Sequence, residues 1–405
     1  MKKLAIGLLV ITLTVCLAVP AMAEFQPYAS LRLITGWYDV DDEDAPGASK
    51  TTDDLFWELG DFSRFGAKFS SGDLSGHVEF GIRGDGGDNS NKTYDRLLYG
   101  TWKFEGGSLM VGQNYTPYTF ISSQIAPRVD LHTDNSEKGG TRRDIDGENY
   151  FIGYGCLWDS RQPQIRVKLD NGFYVALVQP EKGSESDFNA ALNNLNGIFD
   201  PKKFTDYDVD VESDLPKMVI GWEFKTEGLM LNPGFGYNTY EVDTNVGDED
   251  IDSWLLYLNG KAALGMVDLQ WSIHYGQNLG DYGLWSREDA AYAQPKDDGD
   301  IEDSDCYGGY VQVAIPIDPA TITLGVGYTQ SENDEMIVGY DSTTKKYIRD
   351  DDEDEQMSYF IQVKLPVTDN FWVVPEFSYY DHMEDAAGND EPTSWFAGLM
   401  WRMDF

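Results

Sequence analysis

Only four histidines occur in the 405 residues, His77, His132, His274 and His382, and none lies in a recognisable nucleophile motif. Nucleophilic catalysis needs a base beside an activated hydroxyl or thiol, so a lipase- or protease-like reaction has no visible machinery here. There is also no glycine-rich phosphate cradle and no Cys/His spacing suited to a metal. The charged side chains say more. Arg32, Arg64, Lys68, Arg83, Lys103, Arg166 and Lys168 each stand beside apolar neighbours. Between residues 117 and 158 lie Asp130, Asp134, Glu137, Asp144, Asp146 and Glu148, mixed with Arg128, Lys138, Arg142 and Arg143. If the basic row faced this acidic stretch across a water-filled gap, the opposed charges would set a transverse field. Such a field orders water and penalises apolar solutes, which lose hydration without gaining a partner.

Further acidic runs fall in residues 39–54 (DVDDEDAPG), 181–216 (FTDYDVDVESD), 278–305 (DDGDIEDSD) and 332–355 (DDDEDE). Clustered carboxylates suit hard cations, but a calcium loop needs a glycine at its turn. The nearest match, Asp206-Tyr207-Asp208-Val209-Asp210, lacks one. The expectation is no cofactor and no dedicated metal site, with loose divalent-cation binding by the acidic loops left open. The formal net charge of −40 repels nucleic acid.

Elements that could line up such charges are read from period-two alternation, which sends successive side chains to opposite faces of a strand. Phe65, Ala67 and Phe69 alternate with Arg64, Gly66 and Lys68; Val78, Phe80 and Ile82 alternate with His77, Glu79 and Arg83. The same grammar recurs at Met218–Phe224, Val267–Tyr275, Ile322–Tyr328 and Tyr359–Leu365. Short connections such as Glu105-Gly106-Gly107, Asp170-Asn171-Gly172 and Thr226-Glu227-Gly228 alternate with the long acidic ones. Past residue 23 no apolar run is long enough for a helical span of about 20 residues, and strands that cross a bilayer must close into a barrel to satisfy their backbone. The pattern predicts an all-β, transmembrane antiparallel β-barrel of about sixteen strands. A secreted soluble sandwich also alternates, but it leaves the short and long connections unexplained.

The two ends fit the same reading. Met1-Lys2-Lys3, the apolar run Leu4–Val19 and Ala21-Met22-Ala23 make the pattern of a secretory signal peptide over residues 1–23, with one barrel domain over 24–405. Residues 394–405, SWFAGLMWRMDF, put Trp395, Ala397, Leu399, Trp401, Met403 and Phe405 on one face. This ending resembles the C-terminal strand of bacterial outer-membrane barrels.

Residues 94–119, YDRLLYGTWKFEGGSLMVGQNYTPYT, resemble the fourth and fifth strands of the general porins of Gram-negative bacteria. Arg96, Tyr99, Gly100, Gly107, Leu109, Gly112 and Pro117 carry the match, and Glu105-Gly106-Gly107 departs from the usual aromatic-Gly turn. The resemblance covers this stretch and the C-terminus, and is only architectural elsewhere. It implies a sixteen-stranded barrel in the cell outer membrane, usually a homotrimer, in contact with lipid and lipopolysaccharide. It further implies passive diffusion of ions and small hydrophilic solutes, with a third loop near 117–158 folded into the pore. On that reading Arg32, Arg64, Lys68, Arg83, Lys103, Arg166 and Lys168 form the constriction's wall, facing Asp130, Asp144, Asp146 and Glu148 on the loop. Acidic mouth against basic wall sums to a weak cation preference, with the mouth screened over about 8 Å at physiological salt. Two other readings stay open. One is a substrate-specific channel, in which Tyr99, Tyr115, Tyr118 and Tyr150 would stack on sugars; the other is a structural or adhesive surface barrel.

Overall fold

In the computed structural model the described residues are 24–41, 52–60, 62–83, 92–126, 153–180, 210–244, 247–285, 291–295, 301–333, 336–341, 346–350, 353–383 and 393–405. Nineteen strand segments join in one sheet, and because two staves are interrupted they make sixteen. In chain order these are β1 (Glu24–Asp41), β2 (Thr52–Leu59 and Ser63–Ser71), β3 (Leu74–Arg83), β4 (Lys92–Phe104), β5 (Gly107–Tyr115), β6 (Arg161–Leu169), β7 (Phe173–Val178), β8 (Asp210–Glu212, Lys217–Trp222 and Phe224–Lys225), β9 (Leu229–Thr244), β10 (Gly247–Ala263), β11 (Asp268–Gln277), β12 (Asp305–Ile317), β13 (Ala320–Glu332), β14 (Glu353–Thr368), β15 (Phe371–Asp381) and β16 (Thr393–Asp404). Neighbours in the chain pair antiparallel throughout. The sheet closes where β16 pairs with β1, in unbroken register from Ser30 opposite Asp404 to Asp41 opposite Thr393. Phe405 extends the seam, its N–H donating to the Ala29 carbonyl at 2.9 Å and its carbonyl accepting from Ala29 at 3.2 Å. The fold expected from the alternation is the fold observed.

The faces are inverted relative to a soluble protein. Trp57 is 64% exposed and Ile273 57%, whereas the inward Ser253, Asn259, Ser272 and Gln356 are buried. Only a lipid surround makes that arrangement favourable, since each large apolar side chain gains about 1.5–3 kcal/mol on leaving water. Aromatics gather at both rims. Trp102, Phe104, Trp222 and Phe224 flank the short turns, and Trp37, Trp57, Trp254, Tyr275 and Trp395 flank the long connections. Amphipathic rings settle where hydrocarbon meets headgroup.

Two irregularities aim side chains. Between the pieces of β2, the Gly60 N–H donates to the Arg32 carbonyl at 2.8 Å and the Ser63 N–H to the Gly60 carbonyl at 2.7 Å. This kink brings the Phe62 ring beside the Arg32 and Arg96 guanidiniums. In the β3–β4 ladder Glu79 faces Leu97 while Phe80 faces Asp95, so Arg96 is the extra residue of a bulge. Bulges re-aim a side chain in this way.

Candidate functional site

The basic row lies on inward parity, and the structure gathers part of it. Arg64 Nε lies 3.3 Å from Glu79 Oε2, and Arg96 Nε donates to Glu79 Oε1 at 2.7 Å. Arg96 also donates to the Tyr115 hydroxyl at 2.9 Å. Arg32 sits with its guanidinium 5.7 Å from the centre of the Phe62 ring, and the Arg96 guanidinium lies 5.6 Å from the same centre. Arg166 donates to the Tyr115 carbonyl at 2.7 Å and the Gln164 amide oxygen at 2.6 Å. Arg161 stacks against Tyr94, Tyr115 and Trp158 at 5.9, 5.5 and 5.3 Å. Arg32, Arg161 and Arg166 have no ion pair or hydrogen bond with a carboxylate among the described residues.

Other members of the row stand apart. Lys103 and Lys168 flank Ser108 near the short-turn rim, and Lys168 pairs with Glu223, which also holds Lys225 at 2.9 Å. Lys68 is exposed and lies opposite His77. The Arg83 side chain and the acidic candidates Asp130, Asp144, Asp146 and Glu148 lie outside the described residues.

Against the opposite wall runs the segment that follows β5. Its polar atoms meet inward side chains of successive strands. The Pro117 carbonyl accepts from Asn232 on β9, Tyr118 from Asn259 on β10, and Ile121 from Gln270 on β11. The Ser123 N–H donates to Gln312 on β12 and its carbonyl accepts from Gln362 on β14. Glu376 on β15 accepts the N–H groups of Ile125 and Ala126 at 2.9 and 2.8 Å. Irregular backbone carries orphan donors and acceptors that must find partners when buried, and this row of carboxamides supplies them. The returning stretch is held likewise, Tyr154 N–H by Ser358 Oγ at 3.0 Å and Gly155 N–H by Thr329 Oγ1 at 2.8 Å. Burial among Phe120, Ile121, Trp158 and Tyr310 pushes the Cys156 thiol up to about 12, so it stays protonated and unreactive. Both Cys156 and Cys306 are free.

No protein-family model matches the chain, and no curated protein matches it. Solved structures do. The outer-membrane channel DcaP of Acinetobacter baumannii superposes with a TM-score of 0.64 at 16% identity, covering 95% of this chain and 98% of that one. An anion-selective porin from Comamonas acidovorans gives 0.53 at 12%, covering 95% and 100%. OmpF of Salmonella typhi, in complex with daunomycin, gives 0.50 at 12%, covering 94% and 98%. The fold is that of the outer-membrane porins. Within this barrel the inner wall brings Arg64 and Arg96 together on Glu79.

Several residues of the lumen escaped the sequence reading. Arg96 was visible only as a match to a motif. The signal for its inward turn is the adjacent pair Leu97-Leu98, where two apolar residues in succession break period two. Arg161 follows the long connection with no alternation before it. Lys217, Asp159 and Glu376 are single charges whose burial no local pattern announces. Of the aromatics considered for sugar stacking, Tyr118 is fully buried. Burial beside the Asp159 carboxylate pushes its hydroxyl well above the usual range. Tyr99 and Tyr115 contact His77 and Arg96, and Tyr150 lies outside the described residues. Of the histidines, His77 meets Tyr28 and Tyr99, and His382 meets Tyr154.

Proposed function

We propose that the chain is a diffusion porin of the Gram-negative outer membrane, passing ions and small hydrophilic solutes through a water-filled lumen and catalysing no reaction. The observation that carries this is the juxtaposition of an apolar outer belt with a lumen wall bearing Arg32, Arg64, Arg96, Arg161 and Arg166. Charged side chains facing inward in a barrel of this size have a use only if hydrated solutes pass them. The segment after β5, tied along the far wall, narrows the passage toward that basic face, and on the sequence reading the long acidic connections would supply its mouth. Three of the arginines have no carboxylate partner among the described residues, so the narrow part attracts anions while the mouth attracts cations. The acidic connections would bridge to lipopolysaccharide through loosely held divalent cations, and the sequence resemblance to general porins supports a homotrimer.

The deciding experiment is reconstitution in a planar bilayer under a KCl gradient. Stepwise conductance with linear current and voltage is expected. A folded barrel without conductance would transfer the assignment to a structural surface protein, and block of the current by one solute class alone would make it a specific channel.

A further inference from the structure

A second stretch of chain reaches into the barrel, between β11 and β12. Residues Leu279–Tyr282 form one turn of 3-10 helix, and all four are buried. Leu284 bridges Leu157 of the stretch that returns to β6, and the Trp158 N–H donates to the Gly283 carbonyl at 2.7 Å. The wall behind them is unusual for a wet lumen. Ala176 and Val178 on β7, Val219 on β8 and Leu255 on β10 point inward and are buried. They form one apolar cluster with Tyr118, Leu157, Leu279, Tyr282 and Leu284. Inward-facing aliphatic residues of this kind are stable only under a permanent cover, since each would otherwise expose about 25 cal/mol per Å² of apolar surface to channel water.

At the centre of the cover stands one buried cation. Lys217 on β8 is inaccessible to solvent, and its ammonium lies 3.0 Å from Asp159 Oδ2, which is itself 5% exposed. Lys217 Nζ also donates to the Asp281 carbonyl at 2.5 Å and the Tyr118 hydroxyl at 3.3 Å. Tyr118 in turn donates to Asp159. Asp281 accepts from Ser253 on β10. The three contacts of one ammonium therefore come from three stretches: the start of the segment after β5, the end of the stretch before β6, and the turn between β11 and β12. A buried pair is a poor source of net stability, but it fixes one arrangement, because removing either member strands the other charge.

We propose that Lys217 is the positioning residue that staples both lumen stretches to β8, so that solutes pass only on the side of β1–β6 and the width of the passage depends on this one ammonium. This rests on the channel reading above and adds that two stretches of chain, rather than one, set the bore.

The test uses Lys217→Met, Asp159→Asn and the double variant in single-channel recording, with hydrogen exchange of the detergent-solubilised protein. Either single variant is expected to raise conductance and open-channel noise above wild type. Each should also speed amide exchange at Trp158 by on the order of a hundredfold, and the double variant should do less than the two effects combined. A folded Lys217→Met barrel with wild-type conductance and wild-type exchange would overturn the proposal. Should that variant fail to fold, the wild-type protein still decides: slow exchange at Trp158 is expected, and exchange at the rate of a free loop overturns it. A wild-type barrel that does not conduct would defeat the channel reading, and the exchange measurement would continue to judge the staple by itself.

Discussion

Arg96 stands two residues before Leu98, which is 57% exposed on the outer face. Strict alternation would therefore put a guanidinium in lipid, where it costs about 2–4 kcal/mol near the midplane. The bulge opposite Glu79 and Phe80 removes that cost and delivers the charge to the lumen, where it is fully buried against Glu79. Glu79→Ala leaves Arg96 without its carboxylate and should destabilise the barrel by about 3–5 kcal/mol, read as a lower urea midpoint on heat-modifiable gels. Selectivity tests a different set. Arg32→Gln with Arg166→Gln removes two charges that lack carboxylate partners among the described residues, and should move the reversal potential toward cations. An unmoved potential would exclude them from the narrow part. Neutralising Arg64 should do less, because Glu79 already offsets it. Chemistry at this scale was half legible. The wall row could be read from parity, whereas ion pairing depends on which strands become neighbours, and Arg64 and Arg96 approach Glu79 from opposite sides along two ladders.

At the scale of elements, sixteen staves follow from alternation and turn residues because both are local signals. The interior segments do not, because their polar contacts are scattered over β8 to β15, one or two side chains per strand. Glu376 shows the dependence. It accepts two consecutive backbone N–H groups and the Ser378 hydroxyl, so Glu376→Ala leaves buried donors unmet at about 1–3 kcal/mol each. Increased open-channel noise with an intact barrel is the expected result, and a quiet channel would show that the segment is held without it. The outer face gives the complementary prediction. Ile273→Lys in the middle of β11 should cost about 2–4 kcal/mol in urea unfolding within lipid vesicles, whereas Lys261→Met on the inward face of β10 should leave that midpoint near wild type.

For the whole molecule, 70 acidic against 30 basic residues are distributed unevenly, with the acidic excess in the long connections and arginines on the inner wall. Fields from the two regions reach different distances as salt changes, about 3 Å at 1 M and 30 Å at 0.01 M. Diluting KCl at a fixed concentration ratio should therefore shift the reversal potential progressively toward cations, and a salt-independent value would mean that the mouth contributes nothing. The seam between β1 and β16 bears on how such an object comes to exist. Ser30 and Asp404, which hydrogen-bond at 2.7 Å, are 374 positions apart in the chain, so the ring cannot be shut until β16 is in place beside β1. Until then β1 and whichever stave arrived last present unpaired edges, the form most prone to stick to other chains. Contacts this remote in sequence are also slow to find. Closure is thus the last event in making this ring, and pairing of Thr393–Asp404 with β1 removes both exposed edges in a single step.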